Sequence, residues 1–328
     1  MSDKRLLTAS ASPHVRTKIT VPNIMLDVII ALIPALIASV YYFGFRTLLV
    51  TAVCVASCVA FEYISRKVMK RHNTIGDLSA VVTGIILAFN LPSTIPLYMA
   101  VIGSAAAIVV VKQLLGGIGC NFVNPALAGR IILMVSFPAA MLSDWADPRG
   151  YDAVTSATPL ASIDSLDSLP SLLDMFLGCR GGCLGETCAL ALIIGGIYLV
   201  IRKVISPSIP LIYIGTVAVF TLVYALVKDI ELSFVLYQIM GGGLLLGAIF
   251  MATDYATSPV NLKGRIIFAV GCGIITSVIR LFGNMTEGVS FSILLMNILV
   301  PHIDNLTRPL PFGTEKKTKS LKKEGASV

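Results

Sequence analysis

The stretch IMLDVIIALIPALIASVYYF, residues 24–43, indicates the class of protein to expect. Its twenty residues contain one charged side chain, Asp27, and about 20 helical residues cover the hydrocarbon core of a bilayer. The rest of the chain has the same character, because hydrophobic residues make up 56% of its 328 residues and charged residues only 13%. A soluble core of this size does not need so much apolar surface. We therefore expect an all-α polytopic membrane protein.

Ten segments are apolar enough to cross or partly cross a bilayer. They are 24–43, 47–64, 78–91, 96–114, 126–142, 187–201, 208–227, 234–252, 266–282 and 289–300. Several are short for a full crossing: LSAVVTGIILAFNL (78–91) ends before Pro92, and VSFSILLMNILV (289–300) ends before Pro301. Short or interrupted spans occur where half-helices meet inside a protein-lined cavity.

The distribution of Lys and Arg predicts the orientation, since positive charge is retained on the cytoplasmic side. Ten crossings with a cytoplasmic N-terminus place 20 of the 25 basic residues inside. These are Lys4, Arg5, Arg16, Lys18, Arg66, Lys67, Lys70, Arg71, Lys112, Arg130, Arg202, Lys203, Lys263, Arg265, Arg308, Lys316, Lys317, Lys319, Lys322 and Lys323. The outer side keeps Arg46, Arg149, Arg180, Lys228 and Arg280. Both termini are therefore expected in the cytoplasm.

This topology divides the chain into five parts. They are a cytoplasmic N-terminal segment (1–23), a first five-helix half (24–142), an outer loop (143–186), a second five-helix half (187–303) and a basic cytoplasmic tail (304–328). The first residues are polar and basic and lack an apolar h-region, so we do not expect a signal peptide. The chain has a net charge of +7, and most of its basic residues lie on the predicted cytoplasmic side. We expect the basic tail to be solvated or to contact membrane lipid rather than nucleic acid.

A weak internal repeat relates the two halves. TGIILAFNLPSTIP (83–96) and LGAIFMATDYATSP (246–259) each contain a Gly followed twelve positions later by a Pro. Each lies in the third segment of its half, and an odd number of helices per half makes the copies inverted in the membrane, as in many transporters. Two shared positions also arise by chance in so apolar a chain.

The outer loop contains DAVTSATPLAS (152–162), an unusual run of hydroxyl residues. On local physics, Thr158 suits the N-cap of a helix and Pro159 its first helical position. This interpretation is compatible with a chemical role for the threonine.

The same residues resemble the flavinylation motif Asp-x-x-Ser/Thr-Gly-Ala-Thr. Asp152 matches its first position, Thr155 the hydroxyl position, and Ala157 and Thr158 its end, whereas Ser156 replaces the usual Gly. In the motif, the hydroxyl of the last threonine is esterified to the phosphate of FMN. The resemblance therefore implies covalent FMN on Thr158.

Other stretches extend the resemblance over about residues 16–313. GDLSAVVTGIILAFNLP, GGCLGETCALALIIGG, ATDYATSPVNLKGR and EGVSFSILLMNILVPHIDNLTRP are similar to the family that includes the D-type component of the Rnf complex, an ion-translocating ferredoxin:NAD oxidoreductase. The B-type component of the sodium-translocating NADH:quinone reductase belongs to the same family but generally has a longer N-terminal region, so the short start favours the Rnf type. A transporter or channel without redox activity is a further alternative, since fold alone does not decide function.

The resemblance implies a role in electron transfer. A flavin transferase acting outside the cytoplasmic membrane would attach FMN to Thr158, with Asp152 in its recognition element. The attached flavin would exchange electrons with other centres of the complex, coupled to movement of Na⁺ or H⁺. The expected partners are Rnf components of the A, B, C, E and G types, which would handle NAD and ferredoxin, and a second, non-covalent riboflavin is compatible with the family.

Asp254, in ATDYATSP, is the ionisable residue near the membrane that we single out, because it follows an apolar segment and precedes an expected break. It could belong to an ion path or a flavin site. Snorkelling to the interface explains most of the other such residues. They are Asp27, Glu62, Lys112, Arg130 and Arg280.

Three cysteines lie in or beside the outer loop: Cys179, Cys183 and Cys188. Their spacing could suit a metal, but the sequence offers no fourth ligand nearby, so we expect a disulfide or free thiols and no metal site. Cys54 and Cys58 stand one helical turn apart and are expected to pack as small apolar residues.

Overall fold

The computed structural model describes residues 19–142, 171–178, 181–283 and 288–309. Within these ranges the chain is helical and contains no strand. The helices are α1 (Val21–Phe43), α2 (Phe45–Val68), α3 (Ser79–Phe89), α4 (Leu97–Gln113), α5 (Pro125–Ser136), α6 (Pro138–Leu142), α7 (Leu172–Leu177), α8 (Ala189–Ile201), α9 (Ser208–Lys228), α10 (Ser233–Met240), α11 (Leu244–Met251), α12 (Leu262–Phe282) and α13 (Val289–Thr307). The second half of α4 is a π-helix.

Each of the ten predicted apolar segments overlaps at least one of these helices, so the all-helical membrane class is confirmed. In the described part of the chain, five helices are long and apolar enough to cross a bilayer: α1, α2, α9, α12 and α13. The pair α10–α11 counts as a sixth if its 58° bend is one broken span. The helices α3, α4, α5 and α8 are apolar but shorter. Ten full crossings therefore stay a prediction.

The helices pack through small residues and a shared apolar core. Helix α9 lies against α12, α2 lies against α3, and α1 lies against α8. The last contact is close, because a methyl group added at Gly195 would overlap the carbonyl oxygen of Ala31. Such small positions let helix backbones approach where no hydrophobic effect drives them together.

Helix α3 ends inside the protein, as its short apolar run predicts. Two carbonyls at this end accept hydrogen bonds from the segment just before α8: Gly185 N–H donates to Phe89 O (2.9 Å) and Leu184 N–H to Leu91 O (3.1 Å). Irregular backbone is tolerated at membrane depth only when such groups are satisfied within the protein. The segment 181–187 therefore folds back to complete the end of α3.

The break between α10 and α11 falls at Gly241–Gly243. Gly243 has a left-handed φ of 63°, a conformation that glycine adopts without steric cost. Arg280 of α12 donates to Gln238 O (2.7 Å), Gly241 O (3.1 Å) and Gly242 O (2.7 Å). The guanidinium thus replaces the helical N–H donors that the bend removes.

The expected end of the last span at Pro301 is wrong. Helix α13 continues through Pro301 to Thr307, and α1 likewise contains Pro34. A proline inside a helix removes one N–H donor and can kink the helix, but neighbouring helices can compensate in a membrane protein.

Candidate functional site

The predicted flavinylation motif lies in residues 143–170, outside the described residues. This applies to Asp152, Thr155, Ser156, Ala157 and Thr158. Cys179 also lies outside them.

Asp254 is described, and it lines a cavity of about 110 Å³ between the two halves of the chain. The cavity is bounded by α1, α3, α8, α11 and the segment before α5, so residues far apart in sequence converge on it. Its aliphatic walls include Val82, Ile86 and Leu199. The polar lining consists of Ser79, Thr83, Lys112, Asn121, Asn124, Thr253 and Asp254.

The Asp254 carboxylate sits in the turn that follows α11. Thr257 Oγ1 donates to Asp254 Oδ2 (3.2 Å), and Asn121 and the backbone N–H groups of Tyr255 and Ala256 also donate to the carboxylate. Burial raises the pKa of Asp254 above its ordinary value, and these hydrogen bonds oppose the shift without cancelling it. The carboxyl group is therefore suited to holding either a proton or a cation.

Asn124 joins the first half of the chain to the second at the same cavity. Its Oδ1 accepts from Ala126 N (3.0 Å) and Leu127 N (3.4 Å), so Asn124 is the N-cap of α5, with Pro125 in the first turn. Its Nδ2 donates to Met251 O (3.3 Å) at the end of α11. The Asn-Pro pair signals this N-cap in the sequence, but nothing local indicates the contact with Met251.

Glu62 and Lys112 do not snorkel; they form a buried ion pair beside the cavity. Lys112 Nζ lies 2.8 Å from Glu62 Oε2, and the two side chains are 3% and 0% exposed. Lys112 also donates to Ser79 Oγ (2.6 Å), and Thr74 Oγ1 donates to Glu62 Oε1 (2.8 Å). The expectation of interfacial charges is wrong here, because the pairing removes the need to reach water.

Arg130 is likewise buried rather than snorkelling. Its Nη1 donates to Asn90 Oδ1 (2.6 Å), just past the end of α3, and its Nη2 lies 3.6 Å from Cys183 Sγ. Glu186 Oε1 accepts from Cys183 N (3.0 Å). The four residues form a polar cluster that joins α3, α5 and the segment before α8.

Asp27 and Arg280 also have protein partners. Asp27 pairs with Arg202 (3.3 Å) and accepts from Tyr198 Oη (2.9 Å), and Arg280 caps the bend described above. Sequence spacing gives no sign of these long-range pairs.

The described cysteines near the loop, Cys183 and Cys188, are free thiols, and Cys54 and Cys58 are buried. Burial raises the pKa of the Cys183 thiol to about 12, with Glu186 adding to the shift and Arg130 opposing it. Within the described ranges no three His, Cys, Asp or Glu side chains converge to hold a metal ion.

The chain is similar to known proteins over nearly its whole length. The family described as "NQR2, RnfD, RnfE family" matches residues 8–313. The D-type component of the Na⁺-translocating ferredoxin:NAD⁺ oxidoreductase complex of Acetobacterium woodii is 49% identical over 96% of this chain and 98% of its own length. The proton-translocating counterpart of Clostridium ljungdahlii is 44% identical over 95% and 98%. The D-type component of the ion-translocating oxidoreductase complex of Stutzerimonas stutzeri is 37% identical over 92% and 95%.

The similarity and the helical membrane architecture agree with the resemblance in the sequence. The chain belongs to the NQR2, RnfD, RnfE family.

Proposed function

We propose that this chain is the D-type membrane component of an Rnf complex, an ion-translocating ferredoxin:NAD oxidoreductase, and that it carries FMN in phosphoester linkage on Thr158. The observation that carries the proposal is the similarity to D-type components over 92–96% of the chain together with the residues DAVTSAT at 152–158. The alternative, the B-type component of a quinone reductase, has no comparable support among these relatives.

The attachment needs a second protein. A threonine hydroxyl is a poor nucleophile unless a base activates it, so a flavin transferase would transfer FMN to Thr158, with Asp152 and residues 155–157 as its recognition element. The distribution of Lys and Arg, which predicts ten crossings with both termini in the cytoplasm, supports this proposal. The loop 143–186 would then lie on the outer side, where that enzyme acts. When attached, the flavin supplies one- and two-electron chemistry, while the protein supplies its position and electrostatics.

The partners follow from the same assignment. Components of the A, B, C, E and G types would exchange electrons with this chain and handle NAD and ferredoxin. Overall similarity does not identify the transported ion, because a relative at 49% identity is named for Na⁺ and one at 44% identity for protons.

The cavity beside Asp254 is our proposed place for a second, non-covalent flavin of the riboflavin type. The lining suits such a ligand. Thr83 Oγ1 and Asn121 Oδ1 can accept hydrogen bonds from the polar edge of a ring system, and Val82 and Ile86 can contact its apolar edge. The present volume of about 110 Å³ is below the roughly 300 Å³ typical of ligand pockets. Binding would therefore require the walls, including Tyr255, to move apart.

The first test is ultraviolet fluorescence of the chain on a denaturing gel after co-production with a flavin transferase. Wild type should fluoresce and Thr158→Val should be dark. Ser165→Ala, which removes a hydroxyl from the same loop outside the motif, should fluoresce as wild type does. A dark wild-type band, when the transferase labels a control protein, would refute covalent FMN. The transporter hypothesis would then move ahead.

The second flavin is tested in the Thr158→Val protein, which removes the covalent one. Flavin released by denaturing the purified complex should be close to one riboflavin per chain, and Asn121→Leu should lower it several-fold. If no flavin is released but Asp254→Asn changes the ion dependence of electron transfer, the cavity serves an ion instead.

A further inference from the structure

A second concave feature lies where α8 ends and α9 and α12 begin. It is a cleft of about 410 Å³ whose lining includes Lys203, Arg265, Ser206 and Ser258, with no carboxylate among its lining residues. It shares a wall with the Asp254 cavity, because Val204, Ile205, Thr253 and Tyr255 line both, and the Tyr255 hydroxyl donates to Val204 O. The cleft therefore adjoins that cavity, but its two cations, Lys203 and Arg265, line the cleft alone.

The two cations of the cleft differ in how they are held. Arg265 is fixed, because its Nε donates to Pro259 O (3.2 Å) and its Nη1 to Ser206 Oγ (3.1 Å). Lys203 is exposed and forms no ion pair with any residue that the structure describes. Its neighbour Arg202 is different, since Asp27 already pairs with it. The cleft thus carries positive charge that no carboxylate among the described residues neutralises.

The beginning of α9 adds to this field. The helix starts at Ser208 after Pro207, and no side chain caps it. The hydroxyls of Ser206 and Ser208 lie 2.9 Å apart beside this end. The N-terminus of a 21-residue helix carries a partial positive charge and free N–H groups, so it favours an anion in the same place as Arg265 and Lys203.

The length of α9 predicts that the cleft lies at the depth of lipid headgroups. Helix α9 is 21 residues long, about 31 Å at 1.5 Å per residue, which matches the hydrocarbon core. Its first residue is therefore expected at one membrane surface, on the side that the basic residues predict to be cytoplasmic. Deeper along the same helices, Leu211 of α9 and Ile267 of α12 are 68% and 48% exposed and offer apolar surface for an acyl chain.

We propose that this cleft binds the phosphate ester of an anionic phospholipid headgroup. Arg265 provides a planar donor pair for phosphate oxygens and Lys203 a mobile point charge, and basic pockets between membrane helices on the cytoplasmic side bind such headgroups. A soluble phosphate ester shares this chemistry, so the experiment must separate the two sources. The proposal does not depend on FMN at Thr158.

The test is native mass spectrometry of the full purified chain with dioleoylphosphatidylglycerol or dioleoylphosphatidylcholine. Wild type should retain one phosphatidylglycerol in preference to phosphatidylcholine. Lys203→Gln should weaken that binding about five-fold, because one interfacial charge is lost while no internal hydrogen bond is broken. Lys263→Gln is the matched control, since Lys263 is exposed on α12 but does not line the cleft, and it should bind as wild type does.

Arg265→Gln should weaken phosphatidylglycerol binding further, but it also removes the bonds to Ser206 and Pro259. Lys203→Gln therefore remains the deciding variant. If inorganic phosphate raises the melting temperature in a Lys203-dependent way and phosphatidylglycerol has no advantage over phosphatidylcholine, the site takes a soluble phosphate and the lipid source is excluded. Equal binding of both probes by wild type and Lys203→Gln would overturn the proposal.

Discussion

Arg130 donates through Nη1 to Asn90 Oδ1 at 2.6 Å and so joins α5 to the broken end of α3. Asn90 in turn donates to Ile86 O (2.6 Å). A single amide side chain therefore satisfies a buried cation and a helical carbonyl at the point where the helix stops.

Asn90→Ala should lower the free energy of unfolding by about 1–3 kcal/mol, because it leaves the buried Arg130 guanidinium without this charge-assisted hydrogen bond. Denaturant unfolding of the purified chain, followed by circular dichroism, measures the change. Asn305→Ala, at an exposed position of α13, should stay within about 0.5 kcal/mol. Equal effects of the two substitutions would contradict the role given to Asn90.

Replacing one member of the Glu62–Lys112 pair should lower the free energy of unfolding more than replacing both members. Lys112→Met leaves the buried Glu62 carboxylate unpaired, and Glu62→Gln leaves the buried Lys112 ammonium unpaired. Each substitution should lower the free energy of unfolding by about 3–5 kcal/mol. The double variant should recover part of that loss, because no uncompensated charge remains. A double-mutant cycle measured by unfolding decides the point, and additive effects would show that the two side chains do not interact.

Gly195→Ala should destabilise the packing of α1 on α8, because the new methyl group would overlap the Ala31 carbonyl oxygen and the backbone has to move. Overpacking of this kind typically costs about 1–3 kcal/mol. Gly215→Ala is a matched control within a helix, since no atom lies within 4 Å of its added Cβ. Thermal unfolding should show a lowered midpoint for the first variant and an unchanged or slightly raised one for the second.

The raised pKa of Asp254 makes stability depend on pH in the unusual direction for a carboxyl group. Since the folded state favours the protonated form, ionisation is a cost that grows as the pH rises above the ordinary value of 3.8. This free-energy cost stops growing once the pH exceeds the raised pKa of Asp254 in the folded state. Wild type should therefore lose stability relative to Asp254→Asn between acidic and alkaline pH, as melting midpoints at several pH values would reveal. A constant difference across that range would argue against the shift.

Cys183 should resist alkylation in the folded protein. With a thiol pKa of about 12 and a buried side chain, it presents almost no thiolate to a reagent at neutral pH. N-ethylmaleimide should label the exposed Cys120 first, and mass spectrometry of the peptides identifies the labelled positions. Labelling of Cys183 as fast as Cys120 would show that the segment before α8 opens readily.

Apolar runs predict where helices form, because a membrane imposes that pattern on each segment separately. Asp254 is found for the same local reason, from its position just after an apolar run. The snorkelling expected of Arg130 and Lys112 is wrong, since their partners Asn90 and Glu62 lie 40 and 50 positions away in the chain. A pairing between helices depends on rotation and depth, which a single sequence does not display. The helix end expected at Pro301 is wrong, because a proline removes only one N–H donor and α13 continues through it.

The bend at Gly241–Gly243 also fixes a spacing. One residue inserted there would change both the rotation and the position of α11 relative to α10. That change would carry Met251 away from Asn124 and turn Asp254 away from Asn121, while Arg280 would face the wrong carbonyls. The length of this glycine segment is therefore as much a constraint on the cavity as the chemistry of the residues that line it, and natural variants should change its composition more readily than its number of residues.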